Sequence, residues 1–286
     1  MLLMCRPPVE DGFLAPSLAP TVSILVPCFE AAATIGKAVE SALAQTFDDI
    51  EVILASDDGK DYAAMLGCAD PRVRQVSTGR IGSGDGPARN VALGAARGRF
   101  VANLDADDTI RSERLAYMLP YAERYGAAID NTALWIDGRL TKTAFPPAPT
   151  DFRLTAEAIL GPRLPMNALL RRNLAGEGWP AFDFCSDVVF NLEVLSRCPD
   201  FRGLARTGYD YVKRDGSITQ SPDTADRAAR GYAAIVAAID AGELDLTAEV
   251  AAAAREEFAA NARANEAFRA AHRSGAVENL EAWLAS

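Results

Sequence analysis

Four short apolar runs, separated by helix-like segments, dominate the first half of the chain. "TVSILV" (21–26) is β-branched, and "AATIGKAVESALAQ" (32–45) then repeats apolar residues at helical spacing. "IEVILA" (50–55) reads as a second buried strand, and "RVRQVS" (72–77) alternates like a third. "GPARNVALGAARG" (86–98) opens on Gly-Pro and closes on Gly98, the start and stop signals of a helix. "RFVANL" (99–104) is a fourth strand, and "SERLAYMLPYAERYG" (112–126) another helix. Helices between strands require crossover connections, so this order predicts a parallel sheet covered on both faces. Ligands then sit at the carboxyl ends of its strands. Asp57 and Asp58 follow one such end; Asp105, Asp107 and Asp108 follow another.

The second half is less regular. Residues 127–220 contain Pro-rich connections ("FPPAPT"), a predicted helix at 186–197 and a strand-like "ARTGYDYVKR". "YDYVKRDGSIT" (209–219) taken alone reads as an edge strand ending in an Asp215-Gly216 turn. From 223 onward the composition shifts to Ala, Glu and Arg, which predicts two or three helices. The first 20 residues read as a loose arm, with no basic stretch ahead of a long apolar core as a signal peptide requires.

Composition then removes several chemistries. The formal charge of −10 argues against broad binding to DNA or RNA, which needs clustered Lys and Arg. Cys5, Cys28, Cys68, Cys185 and Cys198 are scattered and form no CxxC pair, so a disulfide framework or zinc-thiolate site is not expected. A reducing compartment is the simpler reading. The single histidine, His272, excludes multi-histidine metal sites and reads as a surface helix residue. Acid–base work must therefore fall mainly to carboxylates. The chain lacks any run of about 18 apolar residues, so no transmembrane span is expected.

"NLDADD" (103–108) crowds three carboxylates, which repel one another and raise each other's pKa. Residues two apart on an extended chain face the same side, so Asp105 and Asp107 can converge on one point. Hard cations such as Mg²⁺ or Mn²⁺ take such oxygen ligands, often one or two carboxylates with substrate phosphates. For Asp108, capping the next helix and a functional role stay equally open. "RIGSGDGPARN" (80–90) offers a glycine-rich phosphate loop, but Pro87 stands at the third-glycine position of a dinucleotide fingerprint. Its most informative residue is Arg89, with fixed charge and forked donors. Before "VVFNLEVL", spacing alone favours a helix cap by Ser186 or Asp187.

"VSILVPCFEAAATIGKAVESALAQT", "IEVILASDDG", "GPARNVALGAARGRFVANLDADD" and "YDYVKRDGSIT" resemble the successive blocks of family 2 glycosyltransferases of the GT-A fold. The resemblance implies a Rossmann-like α/β mixed sheet flanked by helices, with a C-terminal helical extension. It divides the chain into an arm (1–20), a nucleotide-sugar-binding half (21–126), an acceptor-binding half (127–222) and the extension (223–286). It implies an inverting enzyme that moves one sugar from a nucleotide-diphospho-sugar, UDP-linked by expectation, to a hydroxyl of a carbohydrate or glycolipid acceptor. The implied cofactor is Mn²⁺ or Mg²⁺, and the implied setting is surface polysaccharide or glycoconjugate synthesis.

Residue by residue, Pro27, Phe29 and Glu30 would line base and ribose, with Phe29 stacking. Asp57 or Asp58 would hydrogen-bond the base, Arg89 would help hold the donor, and Asp105 and Asp107 would form the DxD metal motif. Asp187 matches the family's general base, with Asp183 in reserve; Lys213 and Arg214 could meet phosphate. Two departures fall in the nucleotide pocket. Phe29-Glu30-Ala31-Ala32 stands where many members read Tyr-Asn-x-Glu, and Lys60 stands where Ser is usual. They keep a non-catalytic nucleotide-sugar-binding or assembly subunit as the alternative. A sugar nucleotidyltransferase is a weaker rival, since "VPCFEAAAT" lacks its Gly-rich basic signature. The expected location is cytoplasmic, with attachment at the inner face of the membrane left open. Self-association through the C-terminal helices is likewise open.

Overall fold

The computed structural model describes residues 19–146, 151–213 and 224–273. The arm up to residue 18, Arg214 and the Asp215-Gly216 turn therefore lie outside the described residues. In chain order the elements are β1 (Val22–Cys28), α1 (Ile35–Leu43), β2 (Ile50–Ser56), α2 (Tyr62–Leu66), β3 (Val73–Ser77), α3 (Asp85–Ala95) and β4 (Phe100–Asn103). There follow β5 (Thr109–Ile110), α4 (Arg114–Tyr125), β6 (Ala127–Ile136), β7 (Arg139–Thr143), β8 (Asp151–Arg153), α5 (Ala156–Leu160) and β9 (Leu169–Arg171). The chain continues through α6 (Ser186–Arg197), β10 (Arg202–Lys213), α7 (Thr224–Ala241) and α8 (Ala248–Arg273).

The strands form one mixed sheet in the order β3-β2-β1-β4-β9-β6-β10-β5, with β7 added to β6 and β8 to β10. β3, β2, β1 and β4 are mutually parallel, as the crossover helices require. β9 enters antiparallel to both β4 and β6 and joins the two halves of the chain into one surface. β10 is interior, parallel to β6 and antiparallel to β5 and β8. The edge-strand reading of "YDYVK" is corrected at its start, where β5 pairs with Tyr209 and Asp210 on the side away from β6; β8 pairs farther back along β10, with Arg202–Leu204.

Both faces of the sheet are buried, which explains the near-continuous apolar runs of β1 and β2. Alternation along β1 sends Leu25 to one core with Ile53, Val101, Phe190, Ile235 and Phe258. Ile24 and Val26 go to the other core with Ile35, Val39, Leu115 and Met118. The second core is closed by α1, whose buried Ile35, Ala38, Val39 and Ala42 form one helical stripe, and by α4. α3, α5, α6, α7 and α8 cover the first. The carboxyl ends of β1, β2 and β4 open into one crevice where the order turns from β1 to β4.

Candidate active site

The two aspartates that leave β2 organise the two walls of this crevice. Asp57 is 2% exposed; it accepts from Thr78 Oγ1 at 2.7 Å and from the Gly84 amide at 2.9 Å. Its own carbonyl accepts from the Gly82 amide, so Asp57 folds the glycine-rich loop that begins α3. Asp58 turns the other way. It accepts from the Tyr62 hydroxyl (2.7 Å), the amides of Glu30 (3.0 Å) and Lys60 (3.1 Å), and pairs with Lys60 Nζ at 3.0 Å. Burial alone would raise its pKa, but these bonds hold it well below the usual carboxylate range. They also fix Glu30 at φ 49°, a turn that leaves Phe29 half exposed. A Cβ on Gly82 would lie 3.9 Å from the Phe29 ring, so the aromatic edge faces the glycine loop. A cleft of about 450 Å³ lies beside that loop, lined by Thr78, Arg80, Ile81, Gly82, Ser83, Pro87 and Val91.

Arg89, 5% exposed, sits at the centre of the carboxylates. Its Nη1 meets Asp85 at 2.5 Å, its Nη2 meets Asp105 at 2.8 Å and its Nε donates to Asn103 Oδ1 at 3.1 Å. Burial works against its charge, while Asp105, Asp85 and Asp187 together hold it firmly protonated. Asp105 in turn stays ionised despite burial, because Arg89 and Asn103 favour its carboxylate. Arg89 is thus a strut behind Asp105, with three of its five donors spent on protein. Asp107, next along the loop, is half-buried.

Asp108 separates from its neighbours. α4 begins six residues later, so the cap reading is overturned. Asp108 is 1% exposed and accepts from the Tyr209 hydroxyl (2.8 Å) and the Val212 amide (3.0 Å). Burial, then the charges of Asp105 and Asp107, push its carboxyl well above the ordinary range. Tyr209 also accepts from the Asp105 amide at 3.2 Å, so β10 braces the aspartate loop from below.

Asp187 lies in the first turn of α6 without capping it. The cap position is Cys185, with no side-chain cap bond, and the Ser186 hydroxyl donates to the Pro180 carbonyl at 2.7 Å. Burial pushes the Asp187 carboxyl up to about 6; Arg89 opposes this, and Asp85 and Asp105 reinforce it. It borders a cavity of about 10 Å³, room for one water, together with Asn103, Asn167 and Trp179. Asn167 Nδ2 finds no partner. Asp183 is elsewhere: exposed, with its carboxylate 3.4 Å from Arg230 of α7. Lys213 ends β10, its pKa lowered by burial and by Lys142.

Hydrogen bonds tie Glu30 to Asp58 at the ends of β1 and β2 and Arg89 of α3 to Asp105 after β4, and the charge of Asp187 on α6 acts on Arg89; Pro27, Phe29, Asp57 and Asp107 lie on the same strand-end segments. Sequence reasoning missed Asp85, Asn103, Tyr62 and Asn167. Asp85 was legible as a carboxylate four residues before Arg89 on one helix; Asn167 carried no local signal.

Two carboxylates on one loop suit a hard divalent cation whose remaining ligands come from water and substrate phosphates. Among the described residues no group of three or more His, Cys, Asp or Glu could enclose a metal on its own. The donor set therefore fits an ion that arrives with an anionic substrate, and does not fit a protein-only cage.

Comparison with known proteins agrees with this architecture. The chain is 33% identical over 220 residues to the succinoglycan biosynthesis protein ExoO of Rhizobium meliloti (strain 1021), covering 74% of this chain and 60% of that protein. It thus spans under two thirds of that relative's length. S. aureus TarS 1-349, solved in complex with UDP-GlcNAc, superposes with a TM-score of 0.65 at 19% identity, covering 84% of this chain and 72% of that 1-349 chain. The mannosyltransferase PcManGT from Pyrobaculum calidifontis, solved with GDP-Man and Mn²⁺, gives 0.55 at 16%, covering 93% and 78%. These two establish the GT-A fold alone. Residues 23–175, more than half of the chain, match the model for glycosyl transferase family 2, and the chain belongs to that family.

Proposed function

We propose that this protein transfers one sugar from a nucleotide-diphospho-sugar to a hydroxyl of a carbohydrate or glycolipid acceptor, with inversion at the anomeric carbon. The observation that carries this reading is the pairing of unlike carboxylates at one crevice. Asp105 is held ionised by Arg89, while Asp187 has a pKa of about 6. Environments that push carboxylates apart in this way suit one to electrostatic binding and the other to proton transfer near neutral pH. Residues 21–126 would bind the donor and 127–222 the acceptor, with β9 as the seam.

In this reading the nucleotide base stacks on Phe29 between Pro27–Glu30 and the glycine loop. Asp57 faces it with acceptor capacity left, since only two of its lone pairs are used. A divalent ion held by Asp105 and Asp107 would offset the diphosphate charge. The acceptor oxygen attacks the anomeric carbon as the bond to the diphosphate oxygen breaks. Its electron pair leaves with the nucleotide diphosphate, and the acceptor proton passes to the Asp187 carboxylate. A UDP-sugar is the first donor to test, because TarS 1-349 was solved with UDP-GlcNAc, and ExoO supports a role in polysaccharide synthesis. The described cysteines are all free thiols, which supports a cytoplasmic site. No described helix is long and apolar enough to cross a membrane.

The test is a panel of UDP-glucose, UDP-N-acetylglucosamine, UDP-galactose and GDP-mannose with Mn²⁺ or Mg²⁺, read by released nucleotide. One donor is expected to be hydrolysed or transferred, and chelator is expected to stop it. Asp107→Asn should lower turnover about a hundredfold or more. Asp187→Asn should keep donor binding while losing turnover roughly 10²–10⁴-fold. Normal turnover by Asp107→Asn would end the DxD assignment. Binding without turnover across the panel would favour the non-catalytic reading, which the Lys60–Asp58 pair in the base pocket also supports.

A further inference from the structure

The apolar middle of α6 packs into the core through Val189, Phe190, Leu192 and Val194. Such contacts are non-directional and by themselves leave a helix free to slide or turn slightly. Asn191 Nδ2 and the Ser186 hydroxyl add directional bonds to the Met166 and Pro180 carbonyls, and at both ends of α6 further ones come from the C-terminal helices.

Ahead of α6, Arg227 Nη2 donates to the Asp183 carbonyl at 3.1 Å, and Arg230 pairs with the Asp183 carboxylate. The Phe184 ring meets Tyr232 edge-on at 5.7 Å. Gly231 is in α7 because a Cβ there would lie 2.6 Å from the Phe184 Cβ. The next residue, Cys185, holds φ 61°, which L residues rarely adopt, so its neighbours must impose it. At the other end, the connection between α7 and α8 takes over. The Asp245 amide donates to Glu193 Oε1 at 3.1 Å, and the Thr247 amide to Ser196 Oγ at 3.1 Å. Arg197 Nε bonds Asp245 at 2.7 Å while its Nη1 bonds the Leu174 carbonyl at 3.1 Å.

We propose that α7, α8 and their connection form a clamp that sets the position of α6 and thereby of Asp187, with Gly231, Phe184 and Asp245 as positioning residues. This rests on the reading of Asp187 as the base. Displacement of a reacting group by about 1 Å can cost on the order of a hundredfold in rate, so a clamp remote from the crevice controls turnover.

Gly231→Ala tests it, because alanine favours the helix and any loss must come through Phe184. Turnover is followed with the panel donor that the wild-type protein uses fastest, beginning with UDP-glucose and Mn²⁺. The kcat should fall roughly tenfold to a hundredfold, while KM for the donor stays within about twofold. Amides of residues 183–190 should exchange hydrogen faster than in the wild type, and those of β6 should not. Asp245→Asn, at an exposed position and able to fold if Gly231→Ala does not, should lower kcat about two- to fivefold through Arg197. Ala234→Gly, on the exposed face of α7, should lower Tm and leave kcat unchanged.

Unchanged kcat and exchange in folded Gly231→Ala would overturn the clamp, as would an equal kcat loss in Ala234→Gly. Asp187→Asn is measured alongside. If it keeps normal turnover, the base assignment fails, and amide exchange still decides whether the clamp exists.

Discussion

At the amino ends of β1 and β2 one buried carboxylate is shared by two arginines; at the carboxyl ends one buried arginine is shared by three carboxylates. Glu51, 2% exposed at its side chain, bonds Arg74 at 2.8 Å and Arg97 at 3.0 Å, and accepts from Ser23 Oγ at 2.6 Å. Burial would raise its pKa, but these partners bring it down to about 2. Arg89 must instead divide its charge among Asp85, Asp105 and Asp187. The surplus of cation at one end makes a quiet structural tie. At the other end burial, reinforced by Asp85 and Asp105 against the single arginine, leaves Asp187 at about 6, ready to gain a proton.

Removing the shared arginine should break this contrast most severely. Arg89→Met leaves buried carboxylates without their cation, and an expected loss of about 3–5 kcal/mol should appear in denaturant titrations. Turnover should vanish. An unchanged midpoint would show that the carboxylates find their charge balance elsewhere.

A pH series sharpens the comparison next. Asp187 has a folded pKa raised from 3.8 to about 6, so its ionisation costs stability, a cost relieved as pH falls through about 6. Turnover should therefore decline about tenfold per unit below that value. Asp187→Asn should raise Tm at neutral pH by roughly 2–4 °C even as activity is lost.

Glu51 gives the smallest effect and the opposite sign. Its pKa is lowered from 4.5 to about 2, so its stabilisation is present above 4.5 and lost as pH falls toward 2. Glu51→Gln should cost about 1–3 kcal/mol at neutral pH and flatten that acid limb, with turnover intact. A turnover defect would mean that the two ends communicate.

Much of this was legible in residue order. β-branched runs marked β1, β2 and β4, and the expected helix at 186–197 matches α6 (Ser186–Arg197). The aspartates stood after strand ends, as the parallel order requires. What failed was knowledge of neighbours. The cap stayed open for Asp108, level with a functional role, because caps are local, whereas its partners are Tyr209 and Val212, about a hundred residues on. "YDYVK" looked like an edge because nothing in it names β5, which pairs with Tyr209 and Asp210, as a partner. Asp187 resembled a cap for the same reason; its raised pKa comes from burial and from Asp85 and Asp105 on other elements. Asn167 could not be read at all, since a lone asparagine in the connection between α5 and β9 has no pattern.

The adjacent residues Asp57 and Asp58 have a consequence of a different kind. One ties the glycine loop and the other ties the turn after β1, yet they are a single dipeptide leaving one strand. The gap between the walls is therefore gauged by the pleat of β2, a dimension that all side chains share. Residues on either wall can be exchanged without recalibrating that gap. Inserting or deleting one residue at the end of β2 would do the reverse, leaving every wall residue in place and swapping the two fasteners.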